Sequence, residues 1–334
     1  MPTPSHRADR PIAFAVVLMS ACATVALALM VRAHAATNAA PAPVAAPAEP
    51  EQSPAPAPTT TLERIKAARK IVLGYRADAA PMSSRDASGH PVGFSVALCG
   101  KVADALKNEL SLPSLTVEWV AVGAGYTDIE QRRVDLVCAA DEITLAHRAM
   151  TSFSIPVFPG GISAVVRKDA WDALQWTLEQ RSPPYEPLFR GTTPLTLQYR
   201  TYSAIRGSPT LDVLNANKAA MALSASIVPV DSYDAGVAAV LQRRSDVLFG
   251  DRAQLLHAVQ RSAEAKDLHV LSQRYEFAAS ALALPRNDDD FRLAVDRALT
   301  GIYLDPQFGA LYTATFGAPD ADTIAYFRSM VIPN

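Results

Sequence analysis

Apolar residues recur along this chain in two rhythms, and their alternation sets the first expectation about its fold. From Thr61 to Lys70, TLERIKAARK reads as a short amphipathic helix, with Thr60 as N-cap and Glu63 completing a capping box. IVLG at Ile71 to Gly74 then reads as a strand. Phe94 to Leu110 carries Val96, Leu98, Val102 and Leu106 at helical spacing, and Leu115 to Val122 alternates like a strand. Further on, LQYRTYSAIRG ends at a strand-to-turn glycine, Tyr233 to Arg243 reads as a helix, Asp246 to Gly250 as a strand and Ala253 to Ser262 as a helix. Phe291 to Ala314, with Leu293, Val295, Leu299, Ile302 and Leu311, reads as helical. Strands separated by helices predict βαβ units in a mostly parallel sheet, and their return later in the chain predicts a second α/β lobe.

The N-terminus departs from these rhythms. Arg7 and Arg10 precede an apolar run from Pro11 to Val31, followed by Ala33-His34-Ala35, which together read as a signal peptide over residues 1–35. The run is also long enough to serve as an uncleaved membrane anchor, and Cys22 lies in a poor version of a lipoprotein cleavage site. All three readings put the folded part outside the cytoplasm. Residues 36–60 are dominated by Ala and Pro, a composition that cannot bury a core and reads as an extended, disordered linker.

Composition narrows the function. The 334 residues are 49% hydrophobic, enough to bury one or two ordinary cores, and the net charge is −2. Lys and Arg are scattered rather than gathered into a stripe interleaved with aromatics, which argues against nucleic acid. Of the three cysteines, Cys22 belongs to the leader, leaving Cys99 and Cys138 either as a disulfide candidate in an oxidising compartment or as two buried thiols.

The richest stretch runs from Asp135 to Lys168, DLVCAADEITLAHRAMTSFSIPVFPGGISAVVRK, where Arg148 lies between two strand-like apolar runs. An arginine there can fork two hydrogen bonds onto a carboxylate. With Asp251, which follows the apolar run VLFG, it supplies a cation and an anion for the two ends of an amino acid.

The Asp135 stretch resembles the type 3 family of bacterial extracellular solute-binding proteins, the periplasmic amino-acid receptors of ABC importers. IVLGYRADAAPMSSRDASGHPVGFSVALCGKVADAL from Ile71 to Leu106 is similar to the family's opening strand, binding loop and first helix, especially in its glutamate/aspartate branch. AIRGSPT at Ala204 to Thr210 resembles its Gly-Thr-Thr turn, and SDVLFGDRAQLL at Ser245 to Leu256 its second acidic motif. The resemblance covers roughly Thr61 to Tyr326. It implies a type II periplasmic binding protein, α/β, with two mixed lobes, a hinge and an interlobe ligand cleft. Lobe 1 would be residues 61–157 plus 282–334 and lobe 2 residues 158–281, closing on ligand.

The resemblance also implies roles. Arg148 would take the α-carboxylate, Gly207, Ser208 and Thr210 would bring helix-terminal amides to it, and Asp251 would pair with the α-ammonium. Pro209 removes one amide from that turn. Arg76 stands where the glutamate/aspartate branch reaches a side-chain carboxylate, and Met82 where relatives carry an aromatic ring. Both cysteines stand near positions where that branch often carries one. The family's Thr-rich turn is replaced by Ala139-Ala140-Asp141-Glu142. If Glu142 faces the cleft it disfavours acidic substrates, against the hint from Arg76; otherwise Asp141 and Glu142 point to solvent or cap the next helix.

The expected protein is thus a monomeric, exported amino-acid receptor working with an ABC permease in the inner membrane, with no cofactor or metal implied. Two alternatives stay open. The scaffold also serves lyases resembling cyclohexadienyl dehydratase, for which Glu142 and His147 would form an acid/base pair. A drifted cleft would instead make it a ligand-sensing or partner-binding module.

Overall fold

The computed structural model describes residues 60–181 and 193–333. The described residues fall within the unit Pro56–Asn334. The expectations for the leader and nearly all of the linker lie outside the described residues. In chain order the elements are α1 (Thr61–Ala68), β1 (Lys70–Tyr75), β2 (Asp78–Ala79), β3 (Ser83–Arg85), β4 (Pro91–Val92), α2 (Phe94–Glu109), β5 (Thr116–Ala121), α3 (Thr127–Glu130), β6 (Leu136–Glu142), α4 (Leu145–Met150), β7 (Ser152–Phe153), β8 (Phe158–Arg167) and α5 (Asp172–Leu178). There follow α6 (Thr193–Leu197), β9 (Thr201–Ile205), α7 (Pro209–Ala220), β10 (Ser226–Val230), α8 (Tyr233–Leu241), β11 (Val247–Asp251), α9 (Arg252–Arg261), β12 (Leu268–Val270), β13 (Glu276–Leu284), α10 (Asp289–Leu304), α11 (Phe308–Phe316) and α12 (Ala321–Ser329).

Local chemistry sets several boundaries. The Thr60 hydroxyl accepts from the Glu63 amide at 3.3 Å while the Glu63 carboxylate accepts from the Thr60 amide at 2.9 Å, so α1 begins as predicted. It ends at Ala68 rather than Lys70, because Arg69 turns left-handed (φ 49°) and passes the chain into β1. The predicted helix over Phe291 to Ala314 is two helices, α10 and α11. Asp305 is extended (φ −68°, ψ 127°) ahead of Pro306, whose ring has no N–H with which to continue the ladder. Beyond the predicted segment α12 begins at an Asp320 cap, whose carboxylate accepts from the Thr323 amide at 2.7 Å.

One sheet carries ten strands, in the order β10-β9-β11-β8-β13-β6-β1-β5, with β12 beside β8 and β7 beside β13. At one end β1 runs parallel to β5 and β6, and at the other β9 runs parallel to β10 and β11. The middle corrects the expectation of a mostly parallel sheet: β8 and β13 pair antiparallel to each other and to β11 and β6. The chain leaves the first half along β8 and returns along β13, and a direct outward and return passage is necessarily antiparallel. Gly161 lies in this crossover at φ 113°, where a Cβ would fall 1.7 Å from the Glu276 carbonyl oxygen.

Each half has its own core. Phe94, Leu98, Val102 and Leu106 of α2 pack with Leu73, Leu136, Phe158, Phe291 and Tyr312. Ala164, Val166, Tyr202 and Phe249 form a core on one face of the other half, and Val237, Val240, Leu248 and Leu255 on its opposite face. Each Val, Leu or Phe among them, fully buried, contributes about 1.5–3 kcal/mol. The buried Arg252 of α9 donates to the Leu271 carbonyl at 2.6 Å and reaches Asp320 at 3.4 Å, fastening α9 to α12. Among the described residues no helix is long and apolar enough to cross a membrane.

Candidate functional site

β6 carries the segment that replaces the Thr-rich turn. Leu136 to Ala140 are buried, as expected of a strand flanked on both sides in the sheet. Val137 pairs with Ala283 and Asp141 with Ala281, so three residues of β6 face one of β13. The surplus is absorbed in a bulge where Ala140 is left-handed (φ 57°), and Asp141 and Glu142 emerge beyond it at the strand's carboxyl end. The bulge is anchored from beneath. Cys138 is bonded to Cys99 of α2, with 6.1 Å between their Cα atoms, and the Ser95 hydroxyl bridges the Met82 and Cys138 carbonyls at 2.8 and 2.7 Å.

Asp141 is half-buried among Arg76, Tyr126 and His147. Burial raises its carboxyl pKa, opposed by the nearby arginine, imidazole and Tyr126 hydroxyl. Arg76 is held at both ends, its amide donating to the Ser83 hydroxyl at 2.9 Å and its Nε to Asp78 at 3.3 Å. Neither Asp141 nor Glu142 caps α4. Thr144 does, accepting from the His147 amide at 3.0 Å. The His147 ring turns back on β6, with Nδ1 2.7 Å from the Glu142 carbonyl oxygen and its centroid 5.6 Å from that of the Tyr126 ring, the two planes inclined at 75°. Arg148, one residue on, is exposed and makes no side-chain hydrogen bond or ion pair among the described residues.

Asp251 ends β11 and caps α9, its carboxylate accepting from the Gln254 amide at 3.0 Å and its own amide donating to the Tyr233 hydroxyl at 3.2 Å. Gly250 makes that approach possible, since a Cβ there would meet the Tyr233 ring at 2.5 Å. The Asp251 side chain touches water, yet protein surrounds it closely enough to raise its pKa, and the Glu142 charge raises it further. Glu142 thus acts on Asp251 from the opposite half of the sheet. Gln254 also spans the halves, donating to the Ala80 carbonyl.

The remaining predicted residues divide between surface and core. Gly207 is left-handed (φ 71°) and Ser208 caps α7, its hydroxyl accepting from the Leu211 amide at 3.2 Å; Pro209 occupies the first helical position. Thr210 is buried and lines a cavity of about 400 Å³ with Ile162, Tyr202, Phe249 and Glu276. Met82 is buried in the core around α2. Two larger hollows, of about 590 and 610 Å³, contain none of the predicted residues. Among the described residues no group of three His, Cys, Asp or Glu side chains could hold a metal ion. The sequence reading did not single out Tyr126, Tyr233, Gln254 or Glu276. Each reaches the site through tertiary contacts that no local spacing records.

Residues 71–318 match the model of the bacterial extracellular solute-binding proteins, family 3. The chain belongs to this family. Two curated relatives of the solute-binding protein are the L-glutamate/L-aspartate-binding protein of Pseudomonas aeruginosa and the amino-acid-binding protein AabA of Dichelobacter nodosus. The first is 24% identical over 264 residues, 78% of this chain and 81% of that protein. The second is 25% identical over 232 residues, 69% of this chain and 81% of that protein. A solved substrate-binding protein of a polar amino acid ABC uptake transporter from Streptococcus thermophilus superposes with a TM-score of 0.63 at 18% identity, over 79% of this chain and 93% of that one. That likeness is one of fold: the solute-binding protein has the two-lobed type II periplasmic binding protein architecture, with mixed α/β lobes flanking a ligand cleft.

Proposed function

We propose that this solute-binding protein captures a free amino acid between its lobes in the periplasm and passes it, as a monomer, to an ABC permease in the inner membrane. Residues 1–35 direct export in this reading, and residues 36–60 space the folded part from them. Lobe 1 comprises residues 61–157 and 282–334, lobe 2 residues 158–281, and β8 and β13 act as the hinge. Arg148 and the amides around Gly207 and Ser208 receive the α-carboxylate, Asp251 receives the α-ammonium, and Arg76 and Glu142 face the side chain. Thr210 and Met82 act from behind, as packing that holds the turn and the binding loop.

The observation that carries this reading is the meeting of both halves beside Asp251, which caps α9 at the Gln254 amide while the Gln254 side chain donates to the Ala80 carbonyl of the loop carrying Arg76 and Met82. The Glu142 charge acts on Asp251 as well, and an ammonium held at Asp251 would offset it. A thermal-shift screen of the full-length chain against the common L-amino acids tests the proposal, since a ligand bound only by the folded state raises the midpoint. The expected result is a shift with at least one amino acid that Arg148→Ala and Asp251→Ala each abolish. Well-folded protein that responds to no amino acid would exclude the receptor function.

A further inference from the structure

We propose, resting on the reading of the cleft as an amino-acid site, that it selects ligands of net positive charge and prefers a basic amino acid to glutamate or aspartate. Three carboxylates around the crossover lack a cationic partner among the described residues. Glu142 ends β6 in one half and Asp251 ends β11 in the other, and neither enters an ion pair among the described residues. Glu276 joins them: it pairs with Ile162, which pairs with Asp251, so the three residues stand in one row across β13, β8 and β11. Directly opposed residues in antiparallel strands share a face, and two strand spacings put Glu276 about 10 Å from Asp251.

The cation that would favour an acidic side chain is already engaged. Arg76 donates through Nε to Asp78 at 3.3 Å and lies against Asp141. A ligand carboxylate approaching it meets an arginine flanked by two carboxylates, with Glu142 following directly on the strand. Counting Asp78, Asp141, Glu142, Asp251 and Glu276 against Arg76, Arg148 and Lys218, which lines one cavity with Glu276, five anions oppose three cations. A zwitterion's own charges cancel and leave that excess uncompensated. A lysine, arginine or ornithine brings an α-carboxylate for Arg148, an α-ammonium for Asp251 and a second cation for Glu142 or Glu276. Glutamate brings a second anion into the same field.

Calorimetric titration of the full-length chain with L-lysine, L-arginine, L-glutamine, L-glutamate and putrescine tests this. Lysine or arginine should bind at least about tenfold more tightly than glutamate, with glutamine between them, because one charge reversed in a partly screened cleft is worth on the order of tenfold or more. Glu142→Gln should reduce the ratio of basic to acidic affinity about tenfold. Glutamate binding more tightly than both basic amino acids, or a ratio unmoved by Glu142→Gln, overturns the charge selection while leaving the receptor intact. Putrescine binding as tightly as lysine overturns the role given to the ligand's carboxylate. Folded protein that takes up none of the four amino acids overturns the charge selection, and the receptor reading falls with it only where no other common L-amino acid raises the thermal midpoint.

Discussion

Removing the Cys99–Cys138 bond measures how much the bulged end of β6 depends on its covalent anchor. The bond closes a loop across a sequence separation of 39 residues, joining α2 to the strand that presents Asp141 and Glu142. In the chain-entropy model such a loop removes about 13 cal/mol/K from the unfolded ensemble, or about 4 kcal/mol at 25 °C. For a folded unit of this size that amounts to about 7 °C in Tm. With a urea m-value of about 3 kcal/mol/M, the denaturation midpoint should fall by about 1.3 M. The assay is urea unfolding of oxidised protein, reduced protein and the Cys99→Ala/Cys138→Ala double variant, with the mass of each confirming its thiol state. Both bond-free forms should unfold early, and the double variant should add a modest packing loss, since both sulfurs are fully buried in the α2 core. Oxidised and reduced forms unfolding within about 0.3 M urea of each other would refute the loop-entropy argument. If the bond also orders the site, reduction should weaken amino-acid binding in protein that remains folded.

Two further outcomes follow from the crossover and the cleft. Gly161→Ala places a Cβ against the Glu276 carbonyl at a φ only glycine adopts readily, so it should destabilise the fold by at least about 2 kcal/mol; a loss below about 0.5 kcal/mol in urea unfolding would show that β8 and β13 shift apart freely. Asp251, crowded by protein and facing Glu142 with the Tyr233 hydroxyl at its amide, has a raised folded-state pKa, so its ionised form burdens the unliganded fold. Folded protein then binds more protons than unfolded protein in the window between the ordinary aspartate value of 3.8 and the raised one, and the Asp251 contribution to stability improves as pH falls through that window. Wild type should therefore gain stability relative to Asp251→Asn as pH is lowered from neutral, measured by paired thermal midpoints, while ligand affinity declines. A gap that moves the other way would contradict the crowding argument.

Much of the scaffold was legible in the chain because its determinants are local. The Thr60 and Glu63 capping box needs only three residues, and the apolar spacing of α2 needs only one helix. Asp251 at the end of VLFG announces a strand end and a helix cap by composition alone. Local reading failed where one residue outweighed a pattern, as when Pro306 divided the helical rhythm between α10 and α11. It also failed for strand direction in the middle of the sheet, because β8 and β13 are separated by more than a hundred residues and their pairing depends on the path of the whole chain.

By itself the sequence determined the alternation of helices and strands, the capped ends, and the residue types from which a charged cleft could be built, since these depend on short-range hydrogen bonds and on the periodicity of burial. The tertiary structure alone decided which charges meet. It paired Arg76 with Asp78 near Asp141, put Glu142 and Asp251 at the ends of strands in opposite halves, set Glu276 in one row with Asp251, and buried Met82 and Thr210. Whether a charged side chain is neutralised, repelled or free to hold a ligand depends on separations of a few ångströms and on local solvent access. Both are set by packing between segments distant in the chain, and neither is written in the order of the residues.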